Sequence, residues 1–354
     1  MTIDVHGHIT SPELLARYPM PPSLGDVEGM IEQKAEAGII TTIVGSPVGA
    51  GTMVPLPGLD NYGQPADRLA AFHDWLAETV RGHPGRLKAY AYVNPFGGDA
   101  ELDAAAERLR QEEFVGLIAN SSVRGEYLGP DSFFAMAAEH EAPVMVHPPA
   151  EPVGGAALGS VGLVEHVARP GDVTACVAAI ILAGWLEKYP GLRLVASNAG
   201  GALALLAEKL DMAYHRAGPP GPPGGGPPGG GPPGGGPPGG GPPGGGPPGP
   251  PGPPQVTLER PPSEALRRVY VDTATPSPAA LAAAAETFGP ERMVFGTDSP
   301  PLSGSLTAYT DRVERLPVAE QDKERVRAGN ARGLFGLERT DASQDADALG
   351  GART

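Results

Sequence analysis

Pro143-Val144-Met145-Val146-His147 is a short apolar, β-branched run closed by a histidine, and the chain repeats runs of this kind. Working outward from it, comparable strand candidates lie at 3–6, 39–44, 87–93, 115–119, 192–196, 268–272 and 293–297. Alanine-rich helical stretches alternate with them, at 65–81, 100–111, 130–141, 200–214, 277–288 and 305–316. Strand followed by helix, repeated, is the pattern of a parallel sheet with crossover helices. Eight such units favour an α/β fold of the closed (β/α)8 TIM barrel type over an open doubly wound sheet. No Gly-rich phosphate loop follows the first strand, which counts against a dinucleotide-binding fold. Residues 319–337 read as a terminal helical pair, so 1–337 is expected to be a single domain.

Two stretches stand outside this pattern. Residues 217–254 are almost entirely Gly and Pro, with a Pro-Pro-Gly-Gly-Gly repeat starting near Pro222. A collagen helix needs Gly at every third position, and counting on from Gly218, Gly221 and Gly224 lands on Pro227. The segment cannot build a core, and it reads as a disordered, solvated spacer with no assigned task. It falls between the sixth helix and the seventh strand, on the side of the barrel away from a catalytic rim. Residues 338–354 read as a disordered acidic tail.

Composition narrows the partners. A chain of 354 residues that is 40% hydrophobic can bury a sizeable core. With 26 basic against 41 acidic residues the formal charge is -15, which argues against nucleic acid and membrane surfaces as partners. The single cysteine, Cys176, lies in an apolar run, 173–186, too short to span a bilayer. One thiol excludes a disulfide framework and a thiolate metal cluster. With no signal-like start at Met1-Thr2-Ile3-Asp4, a cytoplasmic setting is expected.

In a strand, residues two apart share a face, so His6 and His8 can turn toward one point. His147 closes the fifth run, and Asp298 closes Val294-Phe295-Gly296-Thr297-Asp298. A barrel brings the C-terminal ends of all its strands to one rim, so these four become neighbours. Three imidazoles and a carboxylate suit one divalent ion. Zn2+ is the best match, with a place for a water whose pKa would fall toward ~7. Mn2+ and Fe2+ accept the same ligands. His73, His83, His140, His166 and His215 fall on helices or turns and read as ordinary core or surface residues.

The run Asp4-Val5-His6-Gly7-His8-Ile9 resembles the opening signature of the amidohydrolase superfamily. Val144-Met145-Val146-His147-Pro148, Ala199-Gly200-Gly201-Ala202-Leu203, Phe295-Gly296-Thr297-Asp298 and Asn330-Ala331-Arg332-Gly333-Leu334-Phe335-Gly336 narrow it further. Together they are similar to the amidohydrolase-related group that includes aminocarboxymuconate-semialdehyde decarboxylase. The resemblance spans the chain apart from the Gly/Pro stretch and the tail. It implies a TIM barrel with a metal on His6, His8, His147 and Asp298. It also implies one metal rather than two, because Gly116-Leu117-Ile118-Ala119 lacks the bridging lysine or glutamate of two-metal members.

One departure bears on the reaction. Ser197-Asn198-Ala199-Gly200-Gly201 puts Asn198 where the group has an acid/base histidine. An amide donates and accepts hydrogen bonds but does not exchange protons near neutral pH. Asp298 is then expected to carry the proton, with Asn198 orienting or polarising the substrate. Lys209 takes the place of an arginine that, in the resembled group, reaches a neighbouring subunit's site to hold a carboxylate, which implies a homodimer. Arg124 and Tyr127, after the fourth strand, are further candidates for meeting an anionic small-molecule substrate. Decarboxylation of a small carboxylated compound is the leading expectation. Metal-dependent hydrolysis of a lactone or amide is the second, and a metal-binding protein impaired by Asn198 the third.

Overall fold

The computed structural model describes residues 1–216, 258, 260–302 and 304–337. Eight strands run in parallel: β1 Thr2–His8, β2 Ile39–Gly45, β3 Leu87–Tyr92, β4 Phe114–Asn120, β5 Pro143–His147, β6 Arg193–Ala196, β7 Tyr270–Asp272 and β8 Met293–Val294. They pair in chain order. The last meets the first through two backbone bonds, Val5 N–H to the Phe295 carbonyl at 2.9 Å and Asp298 N–H to the His6 carbonyl at 2.8 Å. The sheet is thereby closed into the expected barrel.

The helices bury one stripe each. In Ala66–Gly82 the buried positions Leu69, Phe72, Leu76 and Val80 recur at helical spacing and face the strands. The run around Cys176 is the fifth-unit helix Arg169–Leu182, which buries Val173, Cys176, Val177, Ile180 and Ile181. The first unit also gains helices, Pro12–Arg17 and Val27–Glu36, that the sequence reading left unassigned. Their apolar spacing is thin: only Leu14 of the first, and Met30 and Lys34 of the second, are buried.

Two strand ends that bear on the site differ from expectation. β1 runs on to His8 and is buried at every position. β8 stops at Val294, because the next backbone N–H groups leave the ladder. Phe295 donates to the Val326 carbonyl at 3.0 Å, Gly296 to Thr273 Oγ1 at 3.0 Å and Thr297 to Asp4 Oδ1 at 3.1 Å. A small antiparallel hairpin, Ser122–Val123 with Glu126–Tyr127, follows β4.

The Gly/Pro stretch and the acidic tail lie outside the described residues. The chain leaves the barrel after the helix Leu203–Arg216 and resumes before Pro262–Leu266 and β7. Tyr214 Oη donates to the Leu258 carbonyl at 3.0 Å, so departure and return are adjacent. Among the described residues no helix is long and apolar enough to cross a membrane.

Candidate metal centre

His6 and His8 project from the same face of β1, and Gly7 between them permits it. A Cβ at position 7 would come within 2.6 Å of Thr42 Cγ2 and 3.1 Å of Lys34 Nζ. His147 is the last residue of β5. Asp298 lies beyond β8 with φ 56°, a left-handed conformation that Asp tolerates better than most residues. One ligand atom from each of these four buried residues lies within 4.8 Å of all the others. The three imidazoles meet pairwise at nearly right angles (89°, 84° and 90°), with ring centroids 5.0, 5.1 and 4.9 Å apart.

The far nitrogen of each ring is anchored. His8 Nδ1 lies 3.1 Å from the Gly45 carbonyl and His147 Nδ1 2.8 Å from the Pro148 carbonyl. A carbonyl only accepts, so both rings carry the proton on Nδ1 and turn a bare Nε2 inward. His6 Nδ1 is 2.6 Å from Asp272 Oδ2. The inward Nε2 atoms of His6 and His147 are buried without a hydrogen-bond partner. His6 Nε2 is 3.5 Å and His8 Nε2 3.0 Å from Asp298 Oδ1, so bare ring nitrogens and a carboxylate oxygen, all acceptors, face one another. Two orphaned lone pairs, a third imidazole and a carboxylate converging on one point are the donor set of a divalent cation.

The charge balance supports that fit. Burial would lower the His6 pKa, yet the Asp298 and Asp272 carboxylates outweigh it and raise the pKa to about 9. His147 is pushed well below its ordinary value by burial and by its neighbours His8 and His6. Burial would raise the Asp298 carboxyl, but His6 and His8 hold it below the usual carboxylate range. Without a metal the cluster gathers a proton onto His6. A cation supplies the same positive charge and leaves all three imidazoles neutral.

Behind the cluster two acidic side chains lock it in place. Asp272 Oδ1 accepts from the backbone of Ala199 at 2.9 Å and of Ala274 at 3.1 Å, while its other oxygen holds His6. Asp4 Oδ1 accepts from the His6 backbone at 2.9 Å. Its Oδ2 takes Lys34 Nζ at 2.7 Å and Thr297 Oγ1 at 2.6 Å. The Asp4 carboxylate of this buried ion pair accepts hydrogen bonds on both oxygens, and it ties β1 to the segment carrying Asp298. Sequence reasoning missed Asp272, although it closes the run 268–272 just as His147 and Asp298 close theirs.

The cluster opens into a cavity of about 240 Å³ reached by His8, His147 and Asp298. Its walls are largely apolar, including Ile9, Met20, Leu24, Val48, Met53 and Leu302. The remaining candidates sit elsewhere. Asn198 is half-buried in the turn after β6, with φ 55° and its amide 3.3 Å from Ser197 Oγ. Arg124 is exposed and paired with Asp60. Tyr127 lies in the hairpin, and Lys209 is exposed on Leu203–Arg216. None of these four lines the cavity; Glu165 and Arg169, which sequence reasoning did not single out, do. Their one signal was Arg169-Pro170 at the head of the apolar run 173–186.

Solved structures of like fold include 5-carboxyvanillate decarboxylase from Sphingomonas paucimobilis. It has 19% identity and a TM-score of 0.72 over 95% of this chain and 99% of that one. A dihydroxybenzoic acid decarboxylase from Polaromonas sp. JS666, solved with manganese and the inhibitor 2-nitroresorcinol, has 17% identity and a TM-score of 0.69 over 96% and 98%. A 2,6-dihydroxybenzoate decarboxylase from Rhizobium has 18% identity and a TM-score of 0.67 over 95% and 98%. At these identities the likeness is one of fold. The sequence itself goes further: the amidohydrolase family model matches residues 3–337, from the opening strand to the end of the last helix. The chain belongs to the amidohydrolase family of enzymes.

Proposed function

We propose that the protein is a decarboxylase of a small carboxylated compound that uses one divalent metal, Zn2+ or Mn2+, on His6, His8, His147 and Asp298. The observation that carries this reading is Asp298 itself, which belongs to the ligand cluster and also faces a largely apolar cavity. An apolar cavity strips water from a carboxylate, which favours its departure as neutral CO2 and disfavours hydrolysis. The solved decarboxylases of like fold agree with the reading.

The bound metal would supply Lewis-acid charge to substrate oxygens. The three histidines would hold it through Nε2, each ring fixed by its Nδ1 contact. Asp298, kept ionised, takes a proton on its carboxylate from an acidic hydroxyl of the substrate or from water. The C–C bond to the carboxylate then breaks and its electron pair stays on the carbon. Asp298 returns the proton there as CO2 leaves. Asn198 carries no proton in this scheme; its place is to shape the turn after β6. Lys209, exposed on an outer helix, can meet a substrate only across a subunit boundary, so its carboxylate contact goes with a homodimer.

Metal-loaded protein given hydroxylated aromatic and muconate-type acids should release CO2. Asp298→Asn should lower turnover at least about 100-fold, the scale of losing a positioned proton carrier. Absence of CO2 from every acid would sink the proposal, and lactone opening without CO2 would replace it with hydrolysis.

A further inference from the structure

Arg169 and Glu165 enter the cavity wall from the segment after β5, and the chemistry above uses neither. Val164–Ala168 is a single π turn that runs directly into the helix Arg169–Leu182. Turns of this over-wide kind are rare and concentrate at functional sites. Among the described residues lining the cavity Arg169 is the only lysine or arginine. Its Nη1 donates to Glu165, while its Nε is buried without a hydrogen-bond partner. The two partners differ in exposure, 15% for the Arg169 side chain and 44% for that of Glu165. A guanidinium can give two parallel N–H bonds to one carboxylate. Here one donor is engaged by a glutamate that can swing into solvent, and a second, buried donor is unused.

We propose that Arg169 anchors a second carboxylate of the substrate, one that remains on the product, so that the substrate is a diacid about one ring in size. The inference rests on the reading of this cavity as the substrate site. Size supports it: a cavity of about 150 Å³ holds a benzene ring, and about 240 Å³ leaves room for ring substituents. Position decides which carboxylate Arg169 holds. The carbon that loses CO2 takes its proton from Asp298, so the departing carboxylate lies at the cluster that contains Asp298. A retained carboxylate keeps its charge throughout, so a grip by Arg169 gives affinity and orientation at no cost to the barrier. The departing group belongs at the His/Asp cluster and the retained one at Arg169, with Glu165 displaced outward.

Titration calorimetry of the zinc-loaded protein with isophthalate, terephthalate and benzoate tests this without any turnover. The wild type should bind one of the diacids at least about tenfold more tightly than benzoate, the scale of a charge-assisted pair. Arg169→Met should bring diacid and monoacid to within about twofold. Arg169→Lys should keep part of the preference, and Glu165→Gln should tighten the diacid by removing its competitor. If Arg169→Met does not fold, the Lys and Gln variants decide. A wild type without the preference, or a preference that survives at full size in the variants, overturns the proposal. Absence of CO2 release in the separate acid panel would overturn the decarboxylase reading and leave this binding result standing.

Discussion

Asp272 shows how much of the site depends on a residue that binds no metal. Its Oδ2 lies 2.6 Å from His6 Nδ1, and its Oδ1 gathers two backbone N–H groups from the turns after β6 and β7. A carboxylate behind an imidazole fixes the ring and raises its basicity toward a metal. Asp272→Asn keeps the shape and removes the charge. Zinc affinity, measured by competition with a chromophoric chelator, should fall about 10–100-fold with the fold intact. An unchanged affinity would mean that ring packing alone orients His6. The four ligands were legible in the sequence because each stands at or just beyond a strand end and the barrel rule brings those ends together. Asp272 obeys the same rule, but its carboxylate meets the outer nitrogen of His6 and two backbone N–H groups rather than the point where the ligand atoms converge. Arg169 was illegible for a different reason: its place in the cavity depends on how the segment after β5 folds back, and no periodicity in 148–168 encodes that.

At the scale of elements, the strand and helix alternation was readable because each strand is apolar and each helix carries an apolar stripe. Where that contrast fails, so did the reading. The helices of the first unit bury few residues, and past β8 Gly296 and Thr297 give their backbone N–H groups to the side chains of Thr273 and Asp4. Contacts between helices and strands were hidden. His73, on Ala66–Gly82, looks like an ordinary helical residue, yet its Nε2 accepts the Tyr92 backbone N–H at 3.0 Å at the end of β3. Burial, aided by the charge of Arg108, lowers its pKa from 6.5 to about 3. The folded protein keeps this ring neutral where the unfolded chain would protonate it. Its effect on stability is therefore absent above pH 6.5 and grows as a loss while pH falls toward 3, with a slope of at most about 1.4 kcal/mol per pH unit. His73→Gln keeps an acceptor for Tyr92 and removes the titration. Urea midpoints should then fall less steeply between pH 6.5 and 4.5 than in the wild type. Parallel curves would exclude His73 as a source of acid sensitivity.

At the scale of the molecule, the point at which the Gly/Pro stretch enters the chain predicts that it acts independently of the metal centre. The stretch opens after Leu203–Arg216, a helix returning to the start of β7, whereas the His/Asp cluster and its cavity lie at the strand C-terminal rim. The described residues that flank it are in contact, since Tyr214 Oη bonds the Leu258 carbonyl. Closing a loop costs entropy that grows with the logarithm of its length, ~0.6 kcal/mol for each doubling. Replacing 215–257 by about six Gly and Ser residues shortens the loop about sevenfold without asking either end to move. The shortened protein should be more stable by ~2 kcal/mol, a rise of a few degrees in Tm. Zinc content and CO2 release should be unchanged, because the ligands and the cavity lie at the rim opposite the point where the stretch leaves the barrel. Equal or lower stability would mean that the stretch makes compensating contacts with the barrel. A loss of turnover at full metal content would mean that the stretch reaches the opposite rim, and the independence of the two faces would have to be abandoned.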